Sequence, residues 1–271
     1  MSKIFYKYRC INDYTLDSIE KNYFYFSRPV CFNDLSDCFI PNDFTATPED
    51  VLEWGAQFEL DPLIVFFLFL NINILNKKSF LEKMEKAMEA YRNSCYIFCV
   101  SETFDNIDMW DAYGNSNSGI CLGYESLLKC NNYLFEIDKE IINSFIVWDD
   151  NRPHAVLTKV DYGKKLLLPY NPFKHDIKPI REGFLGKDSK YSYENEYRSI
   201  LVDYSNKNFD QKIPYKKNIL KEIIFGANTN DNDINKVINI VSKTYDLKNI
   251  NFFKINKIDT SMNLIRNEYK I

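Results

Sequence analysis

Glycine and histidine are scarce in this chain. Its 271 residues include 8 Gly and 2 His. The two histidines, His154 and His175, stand apart, so a histidine-based metal centre has no ligand set. Cys95 and Cys99 are four positions apart, but no second Cys/His pair completes a zinc site. The glycines build no phosphate loop either. GNSNSGICLG (114–123) has the glycine order of neither the P-loop nor the dinucleotide fingerprint, which excludes kinase, GTPase and Rossmann readings together. Repeats and Ser/Gly/Pro-rich linkers are also missing, so a single domain spanning 1–271 is expected. No apolar run approaches the roughly 20 residues of a membrane span. The longest, LIVFFLFL at 63–70, is broken by Asn71 and Asn73 and reads as a buried helix, with a partner surface as the alternative. The opening MSKIFYKYRC lacks the apolar centre of a signal peptide, and seven cysteines form an odd, unpatterned set. A cytoplasmic protein in a reducing compartment, with no membrane contact, is expected. A net charge of −4 gives no overall field for nucleic acid, although a local basic face at Lys207 to Lys217 keeps that class of partner open.

Apolar and aromatic residues are abundant, at 45% and 16%, enough for a full core. IFYKYR alternates as a strand ending at Arg9. Residues 15–19 read as a short helix and NYFYFS as a second strand. Thr47-Pro48-Glu49-Asp50 starts a helical region that fills much of 48–92, with capping-box spacing at Ser79 and Glu82. Short β-like runs follow: CYIFCVS, GICLGYE, FIVW, KVDY, EYRSILVD and KEIIFG. Ile234, Val237, Ile238 and Val241 mark a helix before NFFKI. This is an α+β pattern with a helical insertion at 48–92.

The chemistry-bearing candidates are carboxylates, arginines, a serine and aromatics. KYSYENEYRSILVD places Glu194 and Glu196 two apart at the start of a strand, on one face, where like charges repel. That face is either wet or gives a carboxylate chemical work, and the plain account of Glu196 is a salt bridge to Arg198. Arg9 ends the first strand and is a surface cation, a partner of Asp34 or Asp37, or a ligand contact. Ser27 follows the second strand and is a turn residue or a ligand contact. Trp110 and Tyr113, in MWDAY, are core residues or an aromatic pocket wall.

As a set, IFYKYR, YFS-x-P-x-x-FND-x-x-D (Tyr25 to Asp37), MW-x-x-Y (Met109 to Tyr113) with GICLGY, Y-E-x-E-Y-R (Tyr193 to Arg198) and IIFG (Ile223 to Gly226) resemble a broad prokaryotic family of unknown function. The order of Arg on the first strand, Ser after the second and Glu-x-Glu opening a later one is also similar to the ADP-ribosyltransferase superfamily. That resemblance implies a split mixed sheet gripping NAD as substrate. Arg9 would contact the dinucleotide, with Tyr8 the alternative cleft-facing residue, and Ser27 would brace the nicotinamide ribose. Glu196 would contact the ribose 2′-hydroxyl, and Glu194 would take the first acidic position. Residues 187–193 would form the target-recognition loop. If Trp110 and Tyr113 are a pocket wall, they are the aromatic residues on which a flat ring of the cofactor would stack.

The implied function is transfer of ADP-ribose to RNA, DNA or protein, as in toxins or anti-phage effectors, with an antitoxin or chaperone as partner. Two alternatives stand beside it. One is a non-catalytic binding module of a defence or toxin–antitoxin complex. The other is a Mg²⁺-dependent nuclease or NAD hydrolase using Asp34, Asp37, Glu194 and Glu196.

Overall fold

The computed structural model describes residues 2–32, 34, 36–57, 59–70, 77–138, 146–149, 152–163, 167–174, 176–203, 211–258 and 264–271. His175, the 71–76 stretch that holds Asn71 and Asn73, and residues 207–210 of the basic run at 207–217 lie outside the described residues. The chain begins β1 (Ser2–Arg9), α1 (Asp13–Glu20) and β2 (Tyr23–Tyr25), then α2 (Pro48–Gln57), α3 (Pro62–Leu70), α4 (Lys77–Asn93) and β3 (Cys95–Ser101). Next come α5 (Ile107–Ala112), β4 (Ile120–Lys129), β5 (Asn132–Glu136), β6 (Ile146–Asp149), β7 (Arg152–Lys159) and β8 (Asp161–Gly163). It ends with α6 (Lys178–Leu185), β9 (Gly186–Asp188), β10 (Glu196–Val202), β11 (Lys212–Pro214), β12 (Leu220–Phe225), α7 (Asp231–Thr244), β13 (Asn251–Ile258) and β14 (Leu264–Glu268).

The α+β class holds, with the three insert helices inside the expected 48–92 window to within a residue. The reciprocal bonds Asp50 N–H to Thr47 Oγ1 (3.2 Å) and Thr47 N–H to Asp50 Oδ2 (2.8 Å) fix the start of α2. The chain divides into two compact units, one made of 1–27, 96–160 and 190–271, the other of 28–95 and 161–189.

The first unit is built on a ring of strands, β1-β3-β10-β7-β5-β4, closed by β4 returning to β1. That closure is antiparallel and runs the length of β1, from Ser2↔Leu127 to Arg9↔Ile120. β4 has two different neighbours on its other side. Its first half pairs with β12 (Phe225↔Ile120) and its second with β5 (Lys129↔Asn132), so β12, β13 and β14 branch off the ring there. β12 and β13 are parallel and are linked by α7, whose Ile234, Val237 and Val241 are buried.

Alternation sorts β1 into two faces. Phe5 packs among Tyr197 (4.8 Å between ring centroids), Tyr133 (5.1 Å) and Phe135 (6.2 Å), within the larger core. Tyr6 and Tyr8 turn the other way, into a second cluster with Met109, Trp110, Cys121 and Ile224.

In the second unit, Asp34 Oδ1 accepts from the Ser36 amide (2.9 Å) and hydroxyl (2.8 Å), a turn made by the FND segment. Asp37, also offered as a partner for Arg9, is buried with Lys187 Nζ at 3.9 Å. The apolar helix α3 corrects the expectation of burial. Val65 is 2% exposed, but Leu63, Ile64, Phe66 and Phe67 are 53–69% exposed. A nine-residue helix packed through Val65 beside Gly55 of α2, with Phe69 against the same cluster, covers one stripe and leaves Leu63, Ile64, Phe66 and Phe67 bare.

Candidate functional site

The acidic pair does not open a regular strand. Ser189–Glu194 is a 3-10 turn, Asn195 takes φ 43°, and β10 starts only at Glu196. Asparagine tolerates this left-handed geometry better than most residues, and the kink cancels the simple i, i+2 alternation assumed for the two carboxylates. Three backbone contacts clamp the kink: Ser101 Oγ donates to Glu194 O (2.7 Å), Glu102 N–H to Asn195 O (3.0 Å) and Val160 N–H to Glu196 O (3.0 Å).

Neither carboxylate is wet, since Glu194 is 3% and Glu196 5% exposed. Glu196 forms a two-pronged pair with Arg198, Nε to Oε1 at 2.8 Å and Nη2 to Oε2 at 3.0 Å, and Arg198 is itself buried. The plain salt-bridge account of Glu196 is therefore present in the fold. Glu194 accepts a hydrogen bond from the Tyr113 hydroxyl at 2.9 Å.

Tyr113 caps the C-terminus of α5 and is 43% exposed, which brings one member of the MWDAY cluster to the acidic pair. Trp110 goes elsewhere. It is 0% exposed, its indole N–H donates to Phe104 O at 2.7 Å, and its ring meets Tyr8 edge-on at 5.2 Å. Of the core and pocket-wall alternatives, the fold places Trp110 in the core. Tyr8 is likewise 4% exposed, its hydroxyl on Thr103 O at 3.0 Å, and burial raises its pKa. Between Tyr8 and Arg9, it is thus Arg9 that lies on the opposite face, half-buried, with Lys7.

Ser27 lies in an isolated bridge to β3, exchanging both backbone hydrogen bonds with Ile97 (2.9 and 2.8 Å). β2 pairs with β11 while β1 pairs with β3 and β4, so the strands that precede Arg9 and Ser27 are not neighbours in the sheet. The expected recognition loop at 187–193 is divided, with Lys187 and Asp188 in β9 and Ser189 onward in the turn before Glu194.

Lys7 was missed. Its Nζ donates to Cys99 O at 2.6 Å and sits 5.1 Å from the Phe98 ring centroid. Burial first, then the positive charge of Arg9, lowers its pKa to about 8, while Cys99, Glu196 and Glu194 pull the other way. Lys7 therefore shares one electrostatic neighbourhood with Arg9 and with both glutamates. The signal was available as Lys7-x-Arg9, two cations at i and i+2 on one strand face. Among the described residues, no group of three His, Cys, Asp or Glu is placed to hold a metal ion, and no helix is long and apolar enough to cross a membrane.

Residues 109–199 match the model of a family described as "Protein of unknown function (DUF2971)". The match starts at the MW-x-x-Y motif and runs through Y-E-x-E-Y-R, so it holds Tyr113, Glu194, Glu196 and Arg198, while β1 and the FND segment lie outside it. No curated protein and no solved structure matches the chain. Over this central third the chain is similar to that family.

Proposed function

We propose that this protein is an NAD-dependent ADP-ribosyltransferase acting on a macromolecular acceptor, nucleic acid or protein, of the kind used as toxins or anti-phage effectors. The observation that carries the reading is the neighbouring of β1, β3 and β10 in the sheet: Lys7 Nζ of β1 donates to Cys99 O of β3, and Ser101 Oγ of β3 donates to Glu194 O just before β10. In this reading β1, β3 and β10 form the NAD-gripping side of an ADP-ribosyltransferase-like sheet. Arg9 holds the pyrophosphate and Glu196 faces the ribose 2′-hydroxyl.

The chemistry asks little more of the protein. The C1′–N bond breaks with its electron pair going to the pyridinium nitrogen, the acceptor's lone pair forms the new bond at C1′, and the acceptor loses a proton. An ionised carboxylate beside the ribose stabilises the oxocarbenium-like transition state more than the ground state. The Arg198 fork keeps Glu196 oriented at some cost in available charge. Glu194, which accepts from the Tyr113 hydroxyl, takes the nucleophile's proton in this reading.

The pairing with Arg198 shapes the test. Glu196→Gln alone strands a buried guanidinium and should cost about 3–5 kcal/mol, so lost activity would be ambiguous. The double variant Glu196→Gln/Arg198→Met removes both charges together and should stay folded in a thermal melt. Incubated with labelled NAD and cell lysate, it should transfer at least about a hundredfold less label than the parent. A folded double variant working at the parental rate, or a parent that labels nothing, would overturn the proposal.

A second reading, a non-catalytic module binding a protein such as an antitoxin, is favoured by the exposed apolar residues of α3. It predicts that no NAD is consumed by the parent protein.

A further inference from the structure

Several cations among the described residues sit in ion pairs. Lys3 and Lys159 pair with Glu102, Lys212 with Asp17, Arg181 with Asp161, Arg198 with Glu196 and Arg266 with Glu222. Lys7 and Arg9 are the exception on β1. Among the described residues no carboxylate forms an ion pair with either, although both are half-buried and occupy alternate positions on one strand face. Lys7 Nζ is held by a backbone carbonyl, Cys99 O at 2.6 Å, and lies 5.1 Å from the Phe98 centroid. Neither contact cancels its charge. The two acids that bear on Lys7 are engaged, Glu196 by Arg198 and Glu194 by the Tyr113 hydroxyl. Two neighbouring cations that are partly desolvated repel one another, and an anion seated between them would relieve that repulsion.

We propose that Lys7 and Arg9 together form an anion site for the diphosphate group of a dinucleotide, with Lys7 a phosphate ligand in its own right. The proposal deepens the function given above and rests on it for the identity of the dinucleotide. A diphosphate is favoured over a nucleic-acid backbone because the site is two charges wide and half-buried, on a chain with a net charge of −4.

Lys7 must be protonated to bind. The groups that bear on it are Arg9 on β1, Cys99 on β3, and Glu194 and Glu196 before and at the start of β10. Because its pKa is lowered to about 8, affinity should be full below that pH and fall as the pH rises through it. The diphosphate of ADP-ribose carries no proton in this range, so ADP-ribose is the probe and adenosine the control.

Calorimetry at pH 7 should show ADP-ribose binding tenfold or more weaker in Lys7→Met, with adenosine unaffected. Lys7→Arg should restore binding and remove the pH dependence, since guanidinium does not titrate there. Arg9→Met should bind more weakly and shift the pH midpoint upward, because a neighbouring positive charge is gone. Equal ADP-ribose affinity in folded Lys7→Met and parent would overturn the proposal, as would a Lys7-dependent site that takes single-stranded oligonucleotide and not ADP-ribose. ADP-ribose binding that depends on Lys7 in a protein that transfers nothing from NAD would uphold the site and sink the transferase. Transfer that survives Lys7→Met with unchanged ADP-ribose affinity would do the reverse.

Discussion

Lys7 shows how a single residue can set function against stability. Its ammonium would titrate near 10.5 in the unfolded chain and titrates at about 8 in the fold, so between those values the unfolded state binds more protons. The sign follows directly. Lys7 opposes folding fully below pH 8, and the penalty fades as the pH rises towards 10.5. Lys7→Met should therefore melt at a higher temperature than the parent at pH 7, and the gap should narrow in melts run at pH 9 and 10. A variant that is less stable at pH 7 would mean that the Cys99 contact outweighs the desolvation. The Glu196–Arg198 pair carries a different lesson: the sequence offered both a catalytic and a salt-bridge account, and the fold supplies the salt bridge without removing the carboxylate from the neighbourhood of Lys7.

At the scale of elements, α2 and α3 meet where Gly55 lies against Val65. A Cβ at position 55 would run into a Val65 methyl, so Gly55→Ala should destabilise the pair by about 1–3 kcal/mol despite alanine's better helix propensity. Phe67, 60% exposed on the same helix, should tolerate serine within about 0.5 kcal/mol. Denaturant titration of the two variants decides the matter, and a Phe67→Ser protein as damaged as Gly55→Ala would mean that α3 is covered. The sequence read this helix correctly as a helix because its apolar run is local information. It misread the burial because hydrophobicity says that a residue prefers cover, not that the neighbouring chain provides it.

Taken whole, the sheet depends on β4, which pairs with β1 along its length and with β12 and β5 on its other edge. Amides at Ile120–Tyr124 are flanked by strands on both sides, whereas β14 pairs only with β13 in the strand order. Hydrogen exchange should leave the 120–124 amides among the slowest in the first unit and those of 264–268 among the faster. Rapid exchange across 120–124 would count against ring closure.

The sequence by itself determined several of the strands and helices, because alternation, caps and apolar periodicity act over a few residues; β5, α6, β11 and β14 carry no such local signal strong enough to stand out. IFYKYR, CYIFCVS, the Thr47–Asp50 box and the Ile234–Val241 stripe all form what their pattern predicts. It also singled out Arg9, Tyr113, Glu194 and Glu196, since charged or polar residues inside aromatic strands must be accounted for. Only the tertiary structure decided the rest. Which of Tyr8 and Arg9 faces the core depends on β1 pairing with β4, far along the chain. That Ser27 answers to Ile97, that Trp110 is core, and that Asn195 breaks the backbone between the two acids are likewise set by contacts between distant segments. A strand's pattern fixes that it has two faces; the partners that close around it choose which one is buried.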